Sequence, residues 1–197
     1  HPSLHEDTFE SVESSPESEL NEQADMVTEL GRLRRAIRLL PNVPEYRLKL
    51  ADALLRMGDL DAAIEECRAA IRLQQDDGHA HFQLGLLLSA KQDWRAAVST
   101  LTEAIRLEPL LPHAHYSLGH VHYSLGNMTA AVQSYRKALE LYPHFPDAHY
   151  RLALLFRVIG HAQEAAHHME AAAIDGVPQA RFFLGNAYKD GQGVEKD

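Results

Sequence analysis

Four histidines, His113, His115, His120 and His122, fall within PHAHYSLGHVHYSLG, residues 112 to 126 of a 197-residue chain that has thirteen histidines. Imidazole is the commonest ligand for zinc and copper and the side chain whose charge changes nearest neutral pH, so the stretch offers metal binding or pH sensing. Helical neighbours face one another three or four residues apart, and no pair of the four has that spacing. His113 and His120 share a face but stand roughly 10 Å apart at about 1.5 Å of rise per residue. His79 and His113 can meet across adjacent helices, whose axes run about 8 to 10 Å apart, if both rings lean inward. Zinc normally needs three or four converging ligands, so no metal site is expected.

Other chemistry is sparse. Cys67 is the single cysteine, which excludes a disulfide framework and any multi-cysteine metal centre. Gly191 and Gly193 form a lone G-x-G without a preceding strand, and neither G-x-S-x-G nor H-E-x-x-H occurs. No catalytic residue, cofactor or enzyme activity is expected.

The elements that would position these side chains follow from charge and periodicity. Net charge is −9, and residues 1–23 hold seven acidic side chains with no Lys or Arg. A tract so poor in large apolar residues cannot offset its ordering entropy, so residues 1–22 are read as an acidic disordered leader. The remainder has twenty-one acidic against nineteen basic residues, a balance that argues against the cationic surface phosphate backbones demand, so nucleic acid is not an expected partner; Arg32, Arg34, Arg35 and Arg38 are read as a solvated face. No apolar run of about 18 residues exists, so no membrane span is expected. A chain that starts at His1 suggests processing, and its compartment stays open: cytoplasmic or, if a signal peptide was removed, periplasmic or extracytoplasmic.

The sequence repeats every 34 residues, with gapless units from Pro44, Gly78, Pro112 and Pro146. The eighth position is small throughout (Ala51, Gly85, Gly119, Ala153), and the twentieth and twenty-seventh are always alanine. Leu50, Leu84, Leu118 and Leu152 fill the seventh, giving apolar faces of helical period. Gly58, Gly126 and Gly160 fall mid-unit, where a chain leaving a helix needs a left-handed residue, and Pro109 and Pro143 stop the second helix. Each unit is therefore two antiparallel helices.

The Leu-Gly pair, the alanine columns and the closing Pro resemble the tetratricopeptide repeat over residues 44 to about 177. The usual aromatic at the fourth position is replaced by Arg47, His81, His115 and His149. The resemblance implies an all-α fold, a right-handed superhelical α-solenoid of antiparallel helix pairs. Its parts would be a capping helix at 23–43, units at 44–77, 78–111 and 112–145, and a transition unit at 146–177. Residues 178–197, with Gly191, Gly193 and Val194, resemble the first half of a Sel1-like repeat, which implies that the natural protein continues. Phe182, Phe183, Leu184 and Tyr188 would then lie uncovered, an invitation to self-association.

In the resembled family the second, fifth, ninth, twelfth and thirteenth positions look into a concave groove. Carried over, they give His79, Phe82, Leu86, His113, Tyr116, His120, Tyr123, Tyr150, Leu154 and Arg157 as expected peptide-binding residues. The Lys and Asn with which some members clamp a C-terminal carboxylate are missing. The fourth-position histidines are explained by packing with a hydrogen-bonded or hydrated tip, and His167 and His168 by a solvated second helix. The expected function is a scaffold holding a peptide of a partner protein. The alternatives are a non-catalytic arm of a larger enzyme or assembly, and a metal- or pH-responsive binder using His79, His113 and His120.

Overall fold

The computed structural model describes residues 16–190, with side chains from 25 to 185. Among these residues the chain is all helical: α1 Pro16–Leu39, α2 Pro44–Arg56, α3 Leu60–Leu73, α4 Gly78–Ala90, α5 Trp94–Leu107, α6 Pro112–Ser124, α7 Met128–Leu141, α8 Pro146–Val158, α9 Ala162–Ile174 and α10 Pro178–Asp190. None of the helices is long and apolar enough to cross a membrane. Helix α1 starts at Pro16, so residues 16–22 belong to a helix rather than to the expected leader. Glu and Leu, which make up much of that stretch, are good helix formers. Residues 1–15 lie outside the described part.

The helix ends follow the sequence. Proline opens α2, α6 and α8, where its missing N–H costs nothing. Asp59, Asp77 and Asp93 cap α3, α4 and α5 through the backbone N–H groups of Ala62, Ala80 and Ala96. Gly58, Gly126 and Gly160 turn the chain between paired helices at φ of 80°, 77° and 85°; in the second unit Gln92 occupies the same position at φ 62°.

Within each pair the eighth position of the first helix receives the twenty-fourth of the second. A Cβ on Gly85 would lie 2.6 Å from Leu101 Cγ and Cδ2, and one on Gly119 would lie 2.8 Å from Tyr135 Cδ1 and Cε1. The four partners, Cys67, Leu101, Tyr135 and Met169, are all buried, and so is every alanine of the twentieth and twenty-seventh columns. Pairs then stack, α3 on α4, α5 on α6, α7 on α8 and α9 on α10. First helices also touch one another, α2 with α4 and α4 with α6, to a degree that no two second helices do. The row of first helices is therefore the inner, shorter side of the solenoid.

Three stability measurements check this packing. Gly119→Ala pushes a methyl into an immovable ring and should lose about 1–2 kcal/mol in urea unfolding after the gain in helix propensity is counted. Gly31→Ala, with nothing within 4 Å of its Cβ, should gain up to about 1 kcal/mol. Gln92→Gly relieves a left-handed side chain and should gain about 0.5 kcal/mol net of the extra entropy of glycine.

Candidate functional site

The fifth, sixth and ninth positions of α4, α6 and α8 lie on the row of first helices, where Ser117 is buried and the others are half-buried or exposed. Tyr116 on α6 is half-buried; its ring centroid is 4.9 Å from Phe145 and 5.5 Å from Tyr135. Arg151, the sixth residue of the α8 unit, is half-buried and lies near enough to Tyr116 for the phenol to favour its charged form. Burial works against its charge, but the phenols of Tyr116, Tyr135 and Tyr150 outweigh it, so the guanidinium is held above its ordinary proton affinity. Among the described residues no carboxylate stands within ion-pair distance of Arg151. His120, half-buried between Arg151 and the edge of Trp94 at 6.4 Å, is driven toward its neutral form by burial and then by Arg151. The centre of the inner face is thus a guanidinium held by neutral groups.

Further along, Tyr150 lies 6.5 Å from Phe183 of α10, and Arg157 stands 4.5 Å above the same ring. Leu154 packs into that cluster. Phe183 and Leu184 are half-covered in this way, whereas Phe182 stays 70% exposed; the Tyr188 side chain lies outside the described residues. Leu86 and Tyr123 are exposed, and Phe82 packs against the N-terminal core. The expected aromatics therefore do not gather at one point: Phe82, Tyr116 and Tyr150 belong to three successive packing clusters.

The second-position histidines serve the seams between units. His113 packs on Phe145 at 4.9 Å. His79 does not meet His113; its Nδ1 is 2.9 Å from Glu108, which also accepts the backbone N–H of His79. Asp77, His79 and Glu108 bring ligand atoms within 4.8 Å of one another, but Asp77 already caps α4 and Glu108 already holds His79. Those hydrogen bonds explain the cluster without an ion.

The fourth-position column behaves as one device. Nε2 of His81, His115 and His149 bonds the carbonyl of Gln75, Pro109 and Pro143, six residues back, at 3.1, 3.3 and 3.0 Å. A carbonyl only accepts, so each ring carries its proton on Nε2 and closes the end of the preceding helix. In the first unit Arg47 binds Glu66 at 2.9 Å instead. Burial leaves His122 Nδ1 without a partner among the described residues and lowers its proton affinity. His168, expected in solvent, is half-buried on Phe156 and bonded to His149 at 2.9 Å; the reason is that its position faces back toward α8. Cys67 is pushed up to about 12 by burial and then by Asp52 and Glu66, so it is no nucleophile near neutral pH.

Comparison with known proteins decides the family. The tetratricopeptide-repeat family model matches residues 30–79 and 82–146. The chain is a tetratricopeptide repeat protein. No curated protein matches its sequence. Its fold is similar to Pseudomonas aeruginosa PilF (TM-score 0.78, 20% identity, 88% of this chain and 82% of that one). It is also similar to MamA (TM-score 0.72, 24% identity, 86% and 99%). YrrB, described as a tetratricopeptide repeat protein with an unusual peptide-binding site, superposes at TM-score 0.68 with 20% identity, over 83% and 86%. At these identities the likeness is one of fold. The family match ends at Pro146 and so does not reach the segment that resembles a Sel1-like repeat.

Sequence reasoning missed two features of this repeat array. Arg151 sits at the sixth position, outside the carried-over set, in a column that otherwise holds Lys49, Gln83 and Ser117. A cavity of 610 Å³ where α1 meets α2, lined by Val27, Leu30, Arg34, Leu54 and Met57, includes none of the expected residues. The histidine column gives a direct test. His115→Phe keeps the ring and loses the bond to Pro109, and should cost about 1 kcal/mol in urea unfolding.

Proposed function

We propose that this chain is a non-catalytic interaction scaffold whose inner face holds an extended, acidic peptide segment of a partner protein. The observation that carries the reading is Arg151. Taking a guanidinium out of water is costly unless an anion meets it, and here its partners are phenols. A carboxylate entering from solvent would find a preoriented fork of N–H donors, the strongest kind of hydrogen bond a peptide can offer this surface. Arg157 adds a second positive charge on the same helix, in a chain whose net charge is −9. Tyr123 and Leu86, both exposed, offer apolar surface elsewhere on the first helices.

His120 and Tyr150 flank Arg151, and Phe82, His113, His79 and Leu154 extend the surface along the row. The family supports this reading, since stacked helix pairs leave a long concave side for ligands. YrrB supports a peptide as the ligand class, because its solved structure is described as having a peptide-binding site.

The test is a titration of randomised fluorescent peptides carrying one or two acidic residues, read by anisotropy. Arg151→Gln should weaken the selected acidic peptides about tenfold to a hundredfold, and Arg157→Gln about threefold or less. Equal binding by the parent chain and Arg151→Gln removes Arg151 from the site; a preference for basic peptides removes the acidic ligand class.

A further inference from the structure

The fourth position of each first helix faces the twenty-third of the second. Arg47 and Glu66, an ion pair at 2.9 Å, fill these positions in the first unit. The next two units have His81 with Thr100 and His115 with Ser134, and the last has His149 with His168. Their Nδ1 atoms lie 2.9 Å apart. Because His149 Nε2 donates to the Pro143 carbonyl, its Nδ1 is a lone pair in the neutral ring. His168 must supply the proton between them. We propose that this His149–His168 hydrogen bond is an acid-sensitive latch between α8 and α9, closed near neutral pH and drawn open by protons at mildly acidic pH.

The surroundings of His168 oppose a positive charge from several sides. Its ring lies parallel on Phe156, 5° between planes at 5.7 Å. Arg136 of α7 covers the same Phe156 ring at 5.4 Å. His149 faces it from α8, and the His167 ring is 5.4 Å away on α9 itself. Among the described residues Glu164 is the one carboxylate that bears on His168, and it is engaged by His161 Nδ1 at 2.9 Å. Two protonated rings would set N–H against N–H across the 2.9 Å gap.

Burial first, then His149, His167 and Arg136, push His168 down to about 4, with Glu164 pulling weakly the other way. The sign follows. The opened ring binds a proton at its ordinary value of about 6.5 and the latched ring does not, so the latch is fully effective above about 6.5 and weakens as pH falls toward 4. Opening would expose Phe156, Leu155 and Ala165, which form one buried cluster across the two helices. The latch needs no peptide, and it stands or falls apart from the binding site.

Hydrogen exchange of the full chain, read as protection factors at pH about 7.5 and about 5, tests it. Amides of α8 and α9 should lose at least tenfold protection at the lower pH, while those of α2 and α3, closed by Arg47–Glu66, should change less than about threefold. His168→Ser, which copies Ser134 of the preceding unit, should abolish the difference. An equal loss in both units, or an unchanged loss in His168→Ser, overturns the latch. Should that variant not fold, NMR titration of the parent His168 ring decides: a midpoint below about 5 supports the latch, and one near 6.5 overturns it.

Discussion

A volume match between two positions of each helix pair governs the rest of the molecule. Where the eighth residue is glycine, the twenty-fourth is large, Leu101 or Tyr135, and its side chain lies where a Cβ would be. Where the eighth is alanine, Ala51 or Ala153, the twenty-fourth is the small Cys67 or the pliable Met169. Close packing tolerates neither a void nor an overlap at such a contact. The same contact thus recurs in each pair, and successive pairs stack with their first helices in one row.

That regularity made the fold legible. Columns that recur every 34 residues state where small, large and turning residues stand, and a helix pair is the one arrangement in which all of them have a use. The departures have local causes that the columns do not carry. Gln92 takes the left-handed turn without glycine because the flanking helices fix both ends of the three-residue link. The start of α1 at Pro16 was not legible, since an acidic, Ser-rich composition argues for disorder even where individual residues favour helix.

The site was legible in outline only. The carried-over positions lie on α4, α6 and α8. They could not disclose that Tyr116 is committed to Phe145 and Tyr135, or that the position beside it supplies the cation. A repeat assigns positions to faces; it does not say which side chain crosses to the neighbouring unit, because that depends on the length of the residue and on what the neighbour leaves open. Arg151 is long enough to come near the Tyr116 phenol of the preceding unit, whereas the corresponding Ser117 is short and buried.

The histidines show the same separation of residue type from role. Three of them bond a carbonyl six residues back, His79 pairs with Glu108, His120 borders the guanidinium, and His168 stacks in a partly dry cleft. What began as a cluster of possible ligands is a set of rings whose nitrogens are largely committed to neighbours. Imidazole serves here because it fills the volume of an aromatic while reaching a polar atom at its tip. One consequence is unavoidable: a ring held by a carbonyl at Nε2 has its tautomer fixed, so any second partner at Nδ1 must be a donor while the ring is neutral. In three units that constraint is idle or absent. In the last it meets a second imidazole, and a device for closing helix ends acquires a dependence on protons that the neighbouring units do not share.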